Sequence, residues 1–390
     1  MLAKPSRATV ESRGWLSLLR TMLWFSVLAY IPMSATYFLR SDPRKPRLQD
    51  FVLARLVSDT FAYGVGSGND GHGEAYVETH ATMLLHSLAG SIALALGLSQ
   101  FSDSFRKAYP TVHRWFGYVY VTCGGTLVPL SAVNFLLRTG PLGTFSGPSF
   151  AFILWLLSGA TALTAFLALQ AAMQRKIERH RDLIALNFAF MCSAPLLRYA
   201  WIVLGNFWDE TKEFINLISG VWASSFLLCS AIFYIRTRKG RPQHPRKPIT
   251  APTIVAVLAS AVLGTLFLAA KIPATQWWRP VPLFWCTVPP LVVEQTAFLV
   301  LAIAATDDNS RAYWHTFILG LFTFPLWASV SFEICRYLLH GDSGTAWYSA
   351  VVGGWGVSGF FSFLVNVYST SYLVDDRKHF SDAIKPKALL

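Results

Sequence analysis

The sequence predicts an all-α, polytopic membrane protein, a bundle of about ten transmembrane helices. Two observations support this prediction. Of the 390 residues, 53% are hydrophobic and only 14% are charged, a composition too apolar for an ordinary soluble domain. The apolar residues also form runs long enough to cross a bilayer, which takes about 20 residues in a helix. Both observations argue against a soluble globular protein.

Ten apolar runs of spanning length follow one another along the chain. They cover residues 15–38, 82–101, 115–137, 149–172, 183–205, 214–235, 251–270, 283–305, 314–338 and 349–373. The first run follows a basic segment and has no evident small-residue cleavage site. We therefore expect it to be a retained signal-anchor helix.

Basic residues lie mainly in the short segments between the runs. If the N-terminus is cytosolic, the inner segments contain most of the 33 Lys and Arg residues. This bias predicts that both termini lie in the cytosol. The net charge of +12 is thus an orientation signal, and we expect no nucleic-acid partner.

A basic, proline-rich segment divides the chain in two. We predict a front part of about six helices over residues 1–235, a cytosolic linker over 236–252 and a back part of about four helices over 253–390. The first outer loop, 39–79, contains the flexible sequence Gly64–Glu74. That loop could cover an outward-facing cavity, but we favour a simple surface loop.

A few ionisable side chains lie inside the predicted spans. Such groups are costly in lipid, so they usually face the bundle interior and mark a site. The candidates for catalysis are Glu294, Glu333, Arg198 and His86. Glu294 is near the middle of its run, and the other three are nearer the outer surface. A cavity there could keep a carboxyl protonated by desolvation, or ionised beside Arg198, with His86 as a further proton donor or acceptor. The alternative is that Arg198 and Glu333 only pair to hold helices together.

Two histidines begin predicted helices on the cytosolic side. His113 and His180 could ligate one haem axially, with nearby arginines facing its propionates. Both lie beside arginines, where interfacial basic residues are ordinary. A haem-binding electron-transfer protein is therefore the alternative function, and a transporter or ligand-binding scaffold is a third.

Familiar cofactor motifs do not occur in the sequence. There is no Walker A loop, Rossmann glycine fingerprint or zinc-protease helix. The paired aspartates Asp307–Asp308 and Asp375–Asp376 do not form a magnesium-diphosphate motif. We expect no metal and no cofactor.

Segments of the chain resemble two known families. His80–Gly90, His113–Val121 and Glu178–Trp201 resemble a widespread family of uncharacterised predicted membrane proteins. The whole chain, through its length, helix count and aromatic-rich back part with Val292–Leu301 and Ser331–Leu339, resembles the fungal integral-membrane terpene cyclases of meroterpenoid pathways. Those cyclases are of the ascofuranone, ascochlorin and macrophorin type.

The second resemblance implies a function in secondary-metabolite biosynthesis, in the membrane of the endoplasmic reticulum. It implies that the farnesyl chain of a hydrophobic prenylated aromatic substrate is cyclised after protonation of a terminal epoxide or olefin. From membrane depth and chemistry, Glu294 or Glu333 would be the acid, tuned by Arg198 and His86. The candidates for substrate binding are Asn134 and Asn187, which would orient the oxygenated end, and Trp285, Phe298 and Trp327, which would shape the cavity.

Overall fold

The computed structural model describes residues 7–37, 39, 46–67, 73–237, 249–271 and 281–369. Within these ranges the regular structure is helical and contains no strand, so the predicted fold class is confirmed. The helices are α1 (Arg7–Thr36), α2 (Leu48–Leu56), α3 (Asp59–Tyr63), α4 (Gly73–Glu78), α5 (His80–Gln100), α6 (Asp103–Ala108), α7 (Pro110–Tyr120), α8 (Val128–Thr139), α9 (Gly147–Met173), α10 (Ile177–Met191), α11 (Ser193–Phe207), α12 (Lys212–Thr237), α13 (Ala251–Lys271), α14 (Val281–Ile303), α15 (Asp308–Leu321), α16 (Phe324–Glu333) and α17 (Ser343–Ser369).

Each of the ten predicted runs contains helix in its described residues. In the described part of the chain, seven helical stretches are long and apolar enough to cross a membrane: His80–Gln100, Pro110–Thr139, Gly147–Met173, Lys212–Arg236, Ala251–Lys271, Asp308–Leu338 and Gly344–Tyr368. The bent pair α10 and α11 makes an eighth if it is one span. The other two predicted runs correspond to α1 and α14, which are helices of 30 and 23 residues.

The fifth predicted span is bent in the middle. Helices α10 and α11 meet at Cys192 with an angle of 42°. Pro195 lies in the first turn of α11, where a helix tolerates the missing N–H of proline, and a proline there favours a new helix start over a continuous one. The bend separates the basic beginning of α10 from Arg198 on α11.

The front and back parts of the chain share one hydrophobic core. Helix α17 packs against α9, α12, α15 and α16, and one cluster of buried residues includes side chains from both parts. Helices α5 and α10 approach each other closely in this core. At Gly97 on α5, a Cβ would lie 2.4 Å from the ring of Phe188 on α10, so α5 and α10 can meet only with glycine there.

The segment between α1 and α5 is not a simple surface loop, and our expectation is wrong for its described residues. Helices α2 and α3 pack on the bundle because Leu53 and Phe61 bury against Trp201 of α11 and Ile215 of α12. The N-terminus of α3 is capped by Ser58, whose hydroxyl accepts a hydrogen bond from the Phe61 N–H at 3.0 Å. These short helices cover one end of the bundle.

Candidate functional site

Two regions of the bundle concentrate buried polar side chains. The first, called the carboxyl region, consists of Glu294 with its neighbours Ser225, Cys229 and Trp355. The second, called the basic pocket, is a cavity between the short helices α2 and α4, the middle of α11 and the beginning of α12. The two regions differ in charge, hydrogen bonding and depth.

The carboxyl region lies between α12, α14 and α17. Glu294 on α14 is only 5% exposed, and its carboxyl faces Cys229 and Ser225 on α12 and Trp355 on α17. Among the side chains that the structure describes, neither oxygen of Glu294 has a hydrogen-bond partner of ordinary geometry, and the same holds for Ser225 Oγ and Trp355 Nε1, although these neighbours lie close enough to interact with the carboxyl. Several unsatisfied polar atoms at one buried place are unusual, and such a place is commonly catalytic or holds a further molecule.

An aromatic wall continues from the carboxyl region along α14. Phe298 follows Glu294 by one helical turn, so the two side chains share a face of the helix. Phe298 is fully buried, and its ring stacks on Trp314 with centroids 5.8 Å apart and on Phe317 with centroids 5.5 Å apart. The acid therefore lies one helical turn from a cluster of stacked aromatic rings.

The basic pocket is a cavity of about 70 Å³. Its lining includes three cations, Arg47, Arg198 and Lys212, and one carboxylate, Asp50. The phenol side chains of Tyr37 and Tyr76 also line the cavity. The described lining residues thus include more cationic than anionic side chains.

Hydrogen bonds and ion pairs hold these charges in place. Lys212 Nζ lies 3.7 Å from Asp50 Oδ1, and both side chains are buried. Asp50 Oδ2 accepts a hydrogen bond from the backbone N–H of Arg47 at 3.0 Å. Arg198 donates from Nε to Gln49 Oε1 at 3.3 Å and lies over the ring of Trp201 at 4.7 Å. These contacts hold the side chains from α2, α11 and α12 in position relative to one another.

The two phenols and Arg47 form a second layer of the pocket. The Arg47 guanidinium lies 4.2 Å from the ring centroid of Tyr37 and 5.2 Å from that of Tyr76. Burial alone would lower the pKa of Arg47, but Tyr37, Tyr76 and Asp50 outweigh burial and raise it. Burial raises the pKa of Tyr76 to about 12, with a contribution from Tyr37 and opposition from Arg47 and Arg198. Tyr76 therefore remains a neutral hydroxyl that can donate a hydrogen bond at neutral pH.

The structure does not bring the predicted outer-half residues into one site. Of our candidates, Arg198 lines the basic pocket, whereas His86 contacts α8: its Nδ1 lies 3.1 Å from the Val128 carbonyl oxygen and 3.0 Å from Ser131 Oγ. Because a carbonyl only accepts, Nδ1 carries the proton in the first contact. Asn134 accepts a hydrogen bond from Thr82 Oγ1 at 3.1 Å.

Asn187 is fully buried and bonded within the protein. Its Oδ1 accepts from Tyr120 Oη at 2.6 Å, and its Nδ2 donates to the Thr161 carbonyl at 2.7 Å and to Thr164 Oγ1 at 3.0 Å. The amide therefore links α7, α9 and α10. This bonding favours a structural role over the predicted role in orienting a substrate.

The pair between Arg198 and Glu333, which was the structural alternative to a catalytic role, does not form. Glu333 Oε1 instead lies 3.4 Å from Lys271 Nζ, in a partly exposed ion pair between α13 and α16. Trp327 packs against Phe361 with ring centroids 6.1 Å apart. The side chain of Trp285 lies outside the described residues.

The two histidines of the haem alternative differ in their bonding. His180 Nδ1 donates to the Ala168 carbonyl at 2.9 Å, which leaves Nε2 as its ligand atom. His113 Nδ1 is buried without a hydrogen-bond partner in the described part of the chain. The described residues contain no group of three or more His, Cys, Asp or Glu side chains able to hold a metal ion. The haem alternative stays a prediction.

Sequence reasoning missed most of the basic pocket. Arg47, Gln49 and Asp50 are all buried, although they lie in the segment that we interpreted as a surface loop. A usable signal was present: Gln49, Asp50 and Leu53 share one face of a short helix at spacings of three and four residues, and Ser58 is a typical N-cap.

Comparison with known proteins agrees with the membrane class. Residues 83–241 match the model of a family described as "Predicted membrane protein (DUF2306)". This segment runs from α5 through α12, so it includes Arg198 and Lys212 but neither Glu294 nor Asp50. No curated protein and no solved structure matches the chain.

The fold, the apolar helices and the matched segment together define an integral membrane protein with a helical bundle. The resemblance of the second to fifth predicted spans to an uncharacterised membrane-protein family is confirmed. The resemblance to terpene cyclases stays a prediction.

Proposed function

We propose that this integral membrane protein is an acid-initiated terpene cyclase. Its substrate would be a hydrophobic prenylated aromatic compound whose farnesyl chain enters the bundle, in the membrane of the endoplasmic reticulum. One observation in particular supports the proposal: the Glu294 carboxyl is buried beside aromatic rings, and neither of its oxygens has a hydrogen-bond partner among the described side chains. A positioned acid of this kind can protonate an apolar substrate.

The proposed reaction conserves the atoms of the substrate. Glu294 transfers its proton to the terminal epoxide oxygen, and the carbon–oxygen bond breaks to leave a carbocation. The π electrons of the neighbouring double bond then form the new carbon–carbon bond. The last cation then loses a proton to water, and the Glu294 carboxylate takes up a proton from water in turn, so the acid is restored and the product is an isomer of the substrate. Phe298 and Trp355 supply π faces for the intermediate cations.

The structure favours Glu294 over Glu333 as the proton donor. The Glu333 side chain is 28% exposed and lies 3.4 Å from the Lys271 ammonium, which stabilises its ionised form. Glu294 faces a thiol, a hydroxyl and an indole, none of which carries a charge.

Isolated membranes provide the test. Membranes containing the protein are incubated with a farnesyl-aryl terminal epoxide, without added metal or redox cofactor, and the products are analysed by mass and retention time. We expect an isomer of unchanged mass that is absent with Glu294→Gln and still formed with Glu333→Gln. The proposal fails if the wild-type protein, correctly inserted, returns the substrate unchanged.

An absorbance spectrum separates the haem alternative. A Soret band that shifts on reduction and is absent in the His180→Ala variant would assign the protein to electron transfer. A colourless protein that binds the epoxide without converting it would instead be a transporter or scaffold.

A further inference from the structure

Three hydrogen-bond donors surround the Glu294 carboxyl. Ser225 and Cys229 lie on α12 and Trp355 lies on α17, and all three side chains are close enough to interact with the carboxyl on α14. Ser225, Glu294 and Trp355 are 7%, 5% and 3% exposed, so water contributes little to their hydrogen bonding. Both carboxyl oxygens, Ser225 Oγ and Trp355 Nε1 lack a partner of ordinary geometry among the described side chains. Because buried polar atoms are normally hydrogen bonded, this set points to a state in which its members bond to one another.

The proposed cyclisation produces such a state. When Glu294 gives up its proton, a carboxylate is left in a buried place, and a buried charge is costly unless hydrogen bonds or opposite charges accompany it. The three neighbouring side chains are a hydroxyl, a thiol and an indole, which carry no charge but can each donate a hydrogen bond. The thiol is a weak donor, so the hydroxyl and the indole matter most.

The hydroxyl of Ser225 and the indole of Trp355 act in different ways. The indole N–H can only donate, so it bonds to a lone pair of the carboxyl and cannot accept its proton. The hydroxyl can accept a hydrogen bond from the neutral acid and donate one to the carboxylate. Together they can serve the carboxyl before and after the proton leaves.

We propose that Trp355 and Ser225 are positioning residues, which hydrogen bond to the Glu294 carboxyl and stabilise the carboxylate formed when its proton is transferred. This inference rests on the proposed function for its catalytic part. Hydrogen bonds that strengthen as charge develops lower the barrier to the chemical step. The two residues should therefore affect kcat and leave KM nearly unchanged.

Turnover of the farnesyl-aryl terminal epoxide by the full-length protein in nanodiscs measures the catalytic effect. Trp355→Phe removes the N–H and keeps a π face, whereas Ser225→Ala removes the hydroxyl and changes no ring. We expect each variant to lower kcat by about 10- to 100-fold, with KM within about twofold of the wild type. Ser225→Thr, which keeps a hydroxyl, should retain much more activity than Ser225→Ala.

The matched control is Ser349→Ala. Ser349 lies on α17 beside Cys335, and its buried hydroxyl also lacks a partner of ordinary geometry among the described side chains. Its removal should leave kcat unchanged, because this hydroxyl does not contact the carboxyl region.

Infrared spectroscopy tests the hydrogen bond to the carboxyl without any turnover. At acid pH, the difference between the spectra of the wild type and Glu294→Gln isolates the C=O band of the protonated carboxyl. A hydrogen-bond donor on the carbonyl oxygen lowers its stretching frequency. We therefore expect this band to move to higher wavenumber in the Trp355→Phe background and to stay in place in the Ser349→Ala background.

Two results overturn the inference while the proposed function stands. One is a C=O band that does not move in Trp355→Phe, and the other is a kcat within about twofold of the wild type in both Trp355→Phe and Ser225→Ala. A correctly inserted wild-type protein that leaves the epoxide unchanged is a different failure. It overturns the proposed function and, with it, the catalytic role of the two donors.

Discussion

The carboxyl region and the basic pocket are both buried, yet their polar side chains differ in how they are hydrogen bonded. Glu294 faces Ser225, Cys229 and Trp355, but no described side chain forms a hydrogen bond of ordinary geometry with its carboxyl oxygens. In the basic pocket, by contrast, Asp50 bonds to its neighbours through both oxygens. The hydrogen-bond network around Asp50 holds its charge in one position, which suits the binding of a ligand. The Glu294 carboxyl lacks such a network and is available for proton transfer.

The two regions also lie at different depths. Ser225 follows Lys212 by thirteen residues on α12, and at a rise of ~1.5 Å per residue this separation is roughly 20 Å along the helix. The structure therefore allows two separable functions, one interior and one near the end of the bundle. Changes in one region should leave the other intact.

Replacement of the interior acid should have the largest effect. Glu294→Gln keeps the shape of the side chain but removes the transferable proton, so we expect turnover of the prenyl epoxide to fall by about 10²- to 10⁴-fold. Product formation per inserted protein is the measurement. A rate within a few-fold of the wild type would remove Glu294 from the mechanism.

Loss of the pocket carboxylate should strongly reduce stability. Asp50→Asn leaves Lys212 as a buried charge without its partner, which costs about 3–5 kcal/mol. The free energy of unfolding in mixed micelles checks this. A change below about 1 kcal/mol would mean that the pair is well hydrated.

Comparison of the two regions also shows what the sequence could predict. The spans and the burial of Glu294 could be predicted from the sequence, because run length and position within a run depend on neighbouring residues. The partners of Arg198 could not be predicted, since Gln49 lies 149 residues earlier in the chain and in a segment without a long apolar run. The pairing of Glu333 with Lys271 likewise depends on how α13 meets α16, which hydropathy does not encode.

The buried amide of Asn187 tests whether polar burial alone marks a site. Asn187→Leu removes its bonds to Tyr120, Thr161 and Thr164 and leaves the Tyr120 hydroxyl without an acceptor. The expected loss of unfolding free energy is about 1–3 kcal/mol. Unfolding of the variant measures it, and Tyr120→Phe in the Asn187→Leu background should restore part of the loss. No recovery in the double variant would show that the tyrosine hydroxyl is satisfied elsewhere.

The smallest effect is expected at the ion pair between Lys271 and Glu333, which has the same chemistry as the Asp50–Lys212 pair but lies in a more exposed place. The two side chains are 46% and 28% exposed, so solvent screens their attraction, and exposed pairs contribute ~0–1 kcal/mol. A double-mutant cycle with Lys271→Met and Glu333→Gln should therefore give a coupling energy below about 1 kcal/mol. The same cycle on Asp50 and Lys212 should give a larger value, because burial removes the screening. Equal coupling energies for the two pairs would show that depth in the bundle does not distinguish them, and the basic pocket would then have to be open to water.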